Sequence, residues 1–430
     1  MTEYLYIENV GPVNELTIDF SPRLNFITGD NGLGKSFLLD IFWWAAVQKW
    51  PTEINQSLTV GHPILPKDRL KQARIVREST IDQRVDFNFD RKSQKWSTIQ
   101  PIRHRSNSIL IYMQSDGSIS ISDRSRNYKQ KTINSVPDDY IMGIPDSDPY
   151  VFTYTEILSG LKNNGNQICN GLIQDWAYWQ KDQNENFSLL KKIVQIIGKG
   201  TDIAGIGDLI RVYVDDVRDI PTIVMPYGEV PLSHISSGAK RLLTLSYLLV
   251  WTWQEHKRAS QLRDIPITKE IILLIDEIDA HLHPKWQRTI VKSLMEAINI
   301  LAPEVNIQFV ATTHSPLVMA SIEPFFDPEQ DAWFDLDLNR ESGQVEVTKR
   351  PWYRRGDADA WLKSEAFDQK SGYALETEQA IADADAAMGN SETTREQALA
   401  IDQRLLRLLG DIDTFWIRWR FYFEDRGWQR

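Results

Sequence analysis

The sequence predicts an α/β fold built on a mixed, mostly parallel sheet. Three apolar stretches have the length and composition of buried strands: LNFIT at residues 24–28, EIILLI at 270–275 and NIQFVAT at 306–312. Segments predicted as helices, at about residues 35–49 and 284–301, lie between them in the chain. Strands that alternate with helices form parallel sheets, because each helix carries the chain back across the sheet.

The rest of the chain divides into four predicted parts. Residues 1–149 hold a strand, turn and strand unit, the first helix and a β-rich lobe at about 75–128, where alternating segments and the turn SDGS predict hairpins. Residues 150–232 are predicted as a helical lobe. Residues 233–348 hold a long apolar helix, from Ala239 to about His256, and the second and third buried strands. Residues 349–430 are predicted as a polar, helical C-terminal extension.

A glycine-rich loop follows the first buried strand. GDNGLGKS at residues 29–36 matches G-x-x-x-x-G-K-[ST] in full. In this pattern glycines let backbone N–H groups surround a phosphate, the lysine adds positive charge and the serine hydroxyl binds Mg²⁺. The helix that begins here points its N-terminus at the same phosphates. We therefore predict an ATP site formed by Asn31, Gly32, Gly34, Lys35 and Ser36, with Ser36 also a magnesium ligand.

Two further strand ends and one helix start carry residues suited to the same chemistry. Asp276 and Glu277 follow the second buried strand, where one carboxylate can hold Mg²⁺ and its neighbour can polarise the attacking water. His314 follows the third strand, where an imidazole can reach the γ-phosphate. ISSGAKR places Ser236 and Gly238 at the start of the long helix, and a serine hydroxyl beside a helix N-terminus forms a second anion cradle.

In this order the motifs resemble those of the ATP-binding-cassette (ABC) ATPases, in their soluble SMC/RecF-like branch. GDNGLGKS resembles Walker A, and LLIDE resembles Walker B, with Asp276 for Mg²⁺ and Glu277 as catalytic base. ISSGAKR is similar to the family's L-S-G-G-Q signature, and His314 is similar to its switch histidine. The chain departs from the signature at Ser237 and Ala239, and these departures favour slow hydrolysis.

Two more positions are compared with this family. AHLH at residues 280–283 occupies the position of the D-loop, and His283 stands where an aspartate is usual. Communication between sites is therefore expected to differ from the family's usual pattern. Gln114, at the end of LIYMQ, is the candidate for the Q-loop glutamine.

The resemblance also implies how the protein assembles. In this family the signature of one subunit covers the nucleotide held by the other, which implies a head-to-tail homodimer, or a higher oligomer, with ATP and Mg²⁺ at the interface. DEIDAHLHPKWQ, THSPLVMAS and WLKSEAFD narrow the resemblance to stand-alone ATPases of bacterial phage-defence operons, Septu-like and retron-associated, over roughly residues 1–390. This implies a sensor and scaffold for a separate effector, a nuclease or a toxin.

Other functions remain as alternatives. A DNA-repair or chromosome-maintenance ATPase of RecF/SMC type would clamp DNA through a basic channel, with salt-dependent binding. A protein that holds ATP as a structural ligand would show negligible turnover. Transporter cassettes of the resembled family are expected to keep the signature and Walker B closer together than the 40 residues from Ser236 to Asp276, so this spacing disfavours a transporter cassette. Asp335 and Asp337, in FDLDLNRESGQVEV, fit an alternating strand and turn better than a nuclease metal site.

Composition places the chain among globular proteins. The formal net charge of −11 and the pI of about 5.3 disfavour a general polyanion binder. The single cysteine, Cys169, cannot form an internal disulfide, which fits a reducing compartment. No signal peptide and no apolar run of about 20 residues is visible, so we expect a cytoplasmic protein without a membrane partner.

The C-terminal extension carries a heptad-like seam. Apolar residues recur at alternating spacings of three and four and predict one helix of about 30 residues: Ala398, Ile401, Leu405, Leu408, Ile412, Phe415 and Trp419. The Trp- and Arg-rich segment WIRWRFYFEDRGWQR follows this seam. Three interpretations stay open: the helix folds back on its own lobe, it docks a subunit or effector, or it contacts nucleic acid.

Two smaller features have structural interpretations. Trp176 and Trp179 lie three residues apart and are predicted to face the core of the helical lobe. The basic segments RHRS (103–106) and DRSRNYKQK (123–131) favour a solvated face over a nucleic-acid contact.

Overall fold

The computed structural model describes residues 1–80, 84–98, 108–126, 148–163, 165–367, 369 and 371–429. The chain forms two compact units. The first comprises Met1–Trp361 with Glu365–Phe367, and the second comprises Leu362–Ser364 with Asp368–Arg430. Within the described ranges, no helix is both long enough and apolar enough to cross a bilayer.

An eight-stranded mixed sheet is the largest sheet of the first unit. Its parallel strands are β17 (Ala332–Asn339), β3 (Leu24–Gly29), β16 (Asn306–Thr312), β15 (Glu270–Ile275) and β7 (Ile109–Met113), in that order. Antiparallel strands extend both edges: β18 (Gln344–Arg350) beside β17, and β8 (Ile119–Ser122) and β9 (Tyr150–Phe152) beyond β7. The predicted α/β class with a mixed, mostly parallel sheet is confirmed.

A separate antiparallel sheet pairs the N-terminal hairpin with three later strands. Its order is β2 (Val13–Asp19), β1 (Thr2–Val10), β4 (Arg74–Ser79), β5 (Val85–Asp90) and β6 (Lys95–Ser97). Helix α1 (Lys35–Val47) shares one buried core with both sheets, because Phe42 and Trp43 lie in the same cluster as Ile7 of β1 and Leu274 of β15. This core fixes the position of the helix that starts at the glycine-rich loop.

The β-rich lobe predicted over residues 75–128 is wrong as one unit. Strands β4 to β6 belong to the antiparallel sheet, whereas β7 and β8 belong to the eight-stranded sheet. The reason is visible in β7, whose sequence ILIYM is buried along its whole length and therefore suits an interior strand. The predicted SDGS turn does join β7 to β8, with Gly117 at φ +84°. Residues 81–83, 99–107 and 127–147 lie outside the described residues, and with them RHRS and much of DRSRNYKQK.

Helices pack in a second core together with the eight-stranded sheet. The longer ones are α4 (Leu172–Asp182), α5 (Glu185–Ile197), α6 (Ser237–Arg263) and α8 (Ile290–Leu301). Trp176 and Trp179 are buried in this core, as predicted. Strands also occur where the sequence predicted only helices: the hairpin β10 (Leu161–Asn163) and β11 (Asn166–Cys169) lies between α3 (Tyr154–Ser159) and α4.

A three-stranded antiparallel sheet precedes the signature helix α6. It consists of β12 (Gly205–Ile210), β13 (Ile220–Met225) and β14 (Gly228–Pro231). Short helices complete the described elements before the second unit: α2 (Pro51–Ile54), α7 (Pro284–Gln287), α9 (Pro316–Ile322) and α10 (Ala358–Leu362).

The second unit is helical and has its own core. It contains α11 (Leu375–Gly389), α12 (Arg395–Leu408) and α13 (Phe415–Asp425). The single helix of about 30 residues predicted from the seam is wrong, because the chain leaves the helical conformation at Leu409, with φ −94° and ψ 140°. The Trp416 indole donates to the Gly410 carbonyl at 2.7 Å and fixes this turn. Seam residues such as Leu405 and Trp419 are therefore buried against one another within this unit, while Ile412 is exposed.

Candidate functional site

The predicted site residues collect where three neighbouring parallel strands end. Strands β3, β16 and β15 are adjacent and run in the same direction. Their carboxyl ends lead into the glycine-rich loop, into His314 and into Asp276, respectively. Ligands in open α/β sheets bind outside the carboxyl ends of the strands. The topology thus explains how segments about 250 residues apart in the chain meet at one edge.

The glycine-rich loop has a backbone that requires glycine. Gly29, Gly32 and Gly34 have φ angles of +129°, +79° and +99°. A side chain on Gly29 would also clash with the Leu336 carbonyl oxygen of β17, whereas Gly32 has open space around it. This conformation leaves Asn31 and Gly32 exposed at the mouth of the loop.

Lys35 and Ser36 begin helix α1 at the base of this loop. The Lys35 side chain is buried, and its Nζ donates to the carbonyl oxygens of Gly29 and Asp30, both at 2.8 Å. The N-cap residue of α1 is Gly34, which takes a left-handed conformation and has no side chain that could cap the helix. The first N–H groups of the helix are therefore available to an anion.

Thr312 holds the two acidic residues that follow β15. Its hydroxyl donates to Asp276 Oδ1 at 2.7 Å and accepts from the Glu277 N–H at 2.7 Å. Asp276 is buried, and its Oδ2 has no hydrogen-bond partner in the part of the chain that the structure describes. Glu277 has φ +47°, a conformation that costs about 1–3 kcal/mol for such a residue and clusters at active sites.

Asp279 joins this acidic turn to His314. Its Oδ1 accepts from the Thr313 hydroxyl at 2.6 Å and from the His314 N–H at 3.1 Å. Burial lowers the pKa of His314, and the charge of Lys35 lowers it further, which favours the neutral imidazole. A neutral imidazole can donate a hydrogen bond to a phosphate through one nitrogen.

The electrostatics of the cluster centre on Lys35. Burial lowers the pKa of its ammonium group, while the charges of Asp276, Glu277 and Asp279 raise it. A buried ammonium group therefore lies among several carboxylates, and a phosphate together with a divalent cation could bind here without leaving an unpaired charge.

Magnesium, which this class of site implies, fits the oxygens at this edge. The unpartnered Asp276 Oδ2 and the Ser36 hydroxyl are the hard ligands that Mg²⁺ prefers, and Mg²⁺ commonly takes only one or two from the protein. No group of three or more His, Cys, Asp or Glu able to hold a metal occurs within the described ranges. Bound here, Mg²⁺ would neutralise charge on the phosphate oxygens.

The signature segment forms the N-terminus of α6. Ser236 and Ser237 are exposed, and the Ser236 hydroxyl accepts from the Ala239 N–H at 3.4 Å. Gly238 is buried, and a Cβ at this position would clash with the His281 carbonyl oxygen and lie 3.1 Å from Trp286 Cζ3. Among the hydrogen bonds and ion pairs of the described residues, none joins 236–238 to the glycine-rich loop.

This packing makes Gly238→Ala a stability prediction. The φ of Gly238 is ordinary, so the effect is steric, and overpacking of this kind costs about 1–3 kcal/mol. We expect the midpoint of urea unfolding to fall accordingly. Gly205→Ala is the matched control, because a Cβ at Gly205 meets open space. Equal midpoints for the two variants would show that Gly238 is not packed against His281.

Arg241 is a residue to which the sequence analysis gave no role. It lies one turn into α6, is buried, and donates through Nη2 to the Asp276 carbonyl at 2.8 Å and the Glu277 carbonyl at 3.2 Å. Its Nη1 donates to the Ser115 carbonyl at 3.0 Å. Arg241 therefore ties the signature helix to the turn that carries the two acids. The one feature of the sequence that could have indicated this role is that Arg241 belongs to the motif ISSGAKR.

The other residues considered in the sequence analysis, His283, Gln114 and Asp335, make hydrogen bonds or ion pairs within the fold. His283 Nδ1 accepts from the Lys285 N–H at 3.2 Å and caps the short helix α7. Gln114 follows β7 at the same sheet edge, but it is buried and its Oε1 accepts from the Ser118 hydroxyl at 2.9 Å. Asp335 is buried on β17, where Arg350 pairs with it at 2.8 Å and the Thr28 hydroxyl donates at 3.0 Å.

Asp40 is a partly buried carboxyl to which the sequence analysis gave no role. It lies on α1, and the Tyr112 hydroxyl donates to it at 3.0 Å. Burial raises the pKa of Asp40 to about 7 against the stabilising effect of that hydrogen bond, and the charge of Asp276 raises it further.

This raised pKa predicts a pH-dependent stability. Between about pH 4 and pH 7 the folded state keeps a proton that the unfolded chain releases, so the wild-type free energy of unfolding falls as pH rises through this window. Asp40→Asn keeps the acceptor for Tyr112. It should be more stable than wild type at pH 8, by up to about 4 kcal/mol, with a smaller difference at pH 5.

Urea unfolding at both pH values checks this, with Asp182→Asn, at an exposed position, as control. An Asp40→Asn advantage that is equal at pH 5 and pH 8 would contradict the assignment.

The chain is similar to several known proteins. Septu protein PtuA from Bacillus thuringiensis is 25% identical over 337 residues, which cover 73% of this chain and 71% of that protein. A protein named "Retron Vc95 probable ATPase", from Vibrio cholerae, is 33% identical over 129 residues, 27% of this chain and 23% of its own. An Smc head domain with ScpA, derived from Pyrococcus furiosus, aligns with 13% identity and a TM-score of 0.42, over 81% of this chain and 96% of that one.

A family profile described as "AAA domain, putative AbiEii toxin, Type IV TA system" matches residues 24–320. The match covers more than half of the chain and includes the glycine-rich loop, the signature segment, Asp276 and His314. The chain therefore belongs to this family of AAA-domain ATPases.

Proposed function

We propose that this ATPase hydrolyses ATP to ADP and phosphate at composite sites, each completed by a second copy of the chain, and that the cycle controls a separate effector. The sites would be made from Walker A, Walker B and His314 of one copy and the signature of the other. In this scheme ATP joins the two copies, and hydrolysis separates them.

The open signature end is the observation that carries this proposal. Ser236 and Ser237 are exposed at the N-terminus of a 27-residue helix, and Asn31 and Gly32 are exposed at the mouth of the glycine-rich loop. Each feature is an anion cradle open on one side. Two copies in head-to-tail arrangement would close both cradles around one triphosphate, as the SMC/RecF-like resemblance implies.

Each residue of the site would then have a separate role in ATP binding or hydrolysis. Lys35 and the N-terminus of α1 bind the β- and γ-phosphates, while Asp276 and Ser36 hold Mg²⁺. Glu277 accepts the proton of the attacking water, and the Thr312 hydroxyl fixes the Glu277 backbone during this step. Neutral His314 donates to the γ-phosphate.

Control of an effector in antiphage defence is the biological part of the proposal. It is supported by the similarity to Septu protein PtuA over 73% of the chain and to the named retron ATPase over a shorter segment. The partner would be a nuclease or a toxin that the ATPase holds in check. The net charge of −11 favours a protein partner over general nucleic-acid binding.

Phage challenge tests this part. Cells that carry the gene with its native neighbouring genes should resist phage, and Glu277→Gln should remove the resistance. Glu304→Gln, which removes the same charge from an exposed position before β16, should leave it intact. Resistance that survives Glu277→Gln would contradict the proposed link between turnover and defence. Turnover that instead depends on added duplex DNA would favour the DNA-clamp alternative.

A further inference from the structure

A polar cavity of about 280 Å³ lies in the helical lobe, and its lining shares no residue with the site described above. It is bordered by the residues around the end of β11, by α4, by the start of α5 and by the middle of α6. The cavity is open to solvent on one side, and five of its lining residues carry side-chain amides: Gln167, Asn170, Asn184, Asn186 and Gln254.

Two of these amides have groups that could bind a ligand, and one of them, Gln254, has a buried nitrogen left without a partner among the described residues. Asn186 is 8% exposed, and its side chain makes no hydrogen bond to any residue that the structure describes. Gln254 is 7% exposed, and within the same described ranges its Nε2 also lacks a partner. A buried polar group left unpaired destabilises the folded state until a partner binds it. Such groups beside an open space are typical of a site whose partner is a ligand.

The charges around the cavity disfavour an anionic ligand. Asp175 is buried, and its two oxygens accept from the Tyr247 hydroxyl at 2.7 Å and from Asn170 Nδ2 at 2.8 Å. Burial raises the pKa of Asp175, although both hydrogen bonds lower it. Glu255 also lines the cavity, where Arg258 pairs with it at 3.1 Å and Arg126 pairs with it at 3.5 Å. A phosphate group would have to compete with Glu255 for these two cations.

Aromatic side chains complete the lining. Trp179 and Trp251 are buried in the wall, and Tyr178 is exposed at the rim. Amides present a donor and an acceptor in one plane, which matches the edge of a nucleobase, and aromatic rings match its face. Pockets for drug-sized ligands measure about 300–1,000 Å³, so a cavity just below this range suits a base or a nucleoside.

We propose that this cavity binds a free nucleobase or nucleoside, with the carboxamides of Asn186 and Gln254 recognising the edge of the base. The site is separate from the ATP site, and it selects uncharged ligands because Asp175 and Glu255 lie in its wall. It would give this ATPase a second, small-molecule input that does not depend on the proposed role in defence.

Isothermal titration calorimetry tests the proposal with the full chain and with adenosine, guanosine, cytidine and uridine. ATP and Mg²⁺ are kept saturating, so that the glycine-rich loop is already filled. We expect at least one nucleoside to bind, and Asn186→Leu and Gln254→Leu each to weaken it at least about tenfold. Asn299→Leu, the same change on an exposed position of α8, should leave the affinity unchanged.

Circular dichroism melts of each variant establish that it is folded, and the two cavity variants serve as independent checks. The proposal is overturned if no nucleoside binds at millimolar concentration, or if ribose binds as well as the nucleosides. It also fails if an oligonucleotide binds where free nucleosides do not, or if the affinity survives in both cavity variants.

Discussion

Glu277→Gln should reduce steady-state phosphate release by about 10²- to 10⁴-fold while leaving ATP affinity nearly unchanged. The amide has the size and shape of the carboxylate but cannot accept the proton of the attacking water. The backbone geometry should persist, because the φ of +47° is held by the Thr312 hydroxyl, which accepts from the Glu277 N–H rather than from its side chain. Phosphate release and fluorescent-nucleotide titration measure the two quantities separately.

The matched control separates chemistry from charge. Glu304→Gln removes one carboxylate ahead of β16, at the opposite end of that strand from His314, and should retain wild-type turnover. Equal turnover in wild type and Glu277→Gln would remove Glu277 from the role of base. If neither wild type nor Glu277→Gln hydrolyses ATP, then ATP is a structural ligand. The differences from the signature sequence at Ser237 and Ala239 would then explain the lack of hydrolysis.

Lys35→Ala should lower ATP affinity by at least about 30-fold, since losing one partner of a buried, hydrogen-bonded charge pair costs about 2–5 kcal/mol. The ammonium group is one of two buried cations beside Asp276, Glu277 and Asp279, and the other, the Arg241 guanidinium, donates to backbone carbonyl groups. Without Lys35, the three carboxylates would repel the incoming phosphates more strongly. Equilibrium dialysis with labelled ATP gives the affinity directly.

Lys292→Ala, on an exposed position of α8, is the control for this loss of charge and should bind ATP normally. Lys35→Arg distinguishes charge from fit: it keeps the cation, but a guanidinium cannot donate as a compact ammonium does to the Gly29 and Asp30 carbonyls at 2.8 Å. Normal affinity in Lys35→Ala would place the triphosphate elsewhere.

The sequence predicted which residues follow the parallel strands and meet at one edge of the sheet, and there is a physical reason for this. Lys35, Asp276 and His314 each follow a long apolar strand, and adjacent parallel strands necessarily finish at one edge. The groups that position them were missed. Arg241 acts on carbonyl groups of residues 115, 276 and 277, and no local pattern indicates which turn a buried guanidinium will reach. Asp279 was available in the same motif as Glu277, but its partners come from the next strand.

The C-terminal seam shows the limit of periodicity. Leu405 and Trp419 keep heptad spacing, yet they lie on two helices that pack against each other. Apolar residues at this spacing can be buried on one continuous helix or on the two helices of a hairpin, so the pattern alone does not distinguish the two structures. Gly410, which has low helix propensity, was the residue in the sequence that indicated an end to the helix. In the structure Ile412 lies between the two helices and is exposed, so it does not belong to the buried seam.

The most direct test of shared sites is the molar mass of Glu277→Gln in solution, measured by light scattering with and without ATP and Mg²⁺. We predict that ATP doubles the mass from that of one 49.7 kDa chain, and that adding Ser236→Arg, which places a bulky side chain on the exposed signature end, abolishes the doubling. A mass that ATP leaves unchanged, or a doubling that persists with Ser236→Arg, would contradict the account that one copy completes the site of the other.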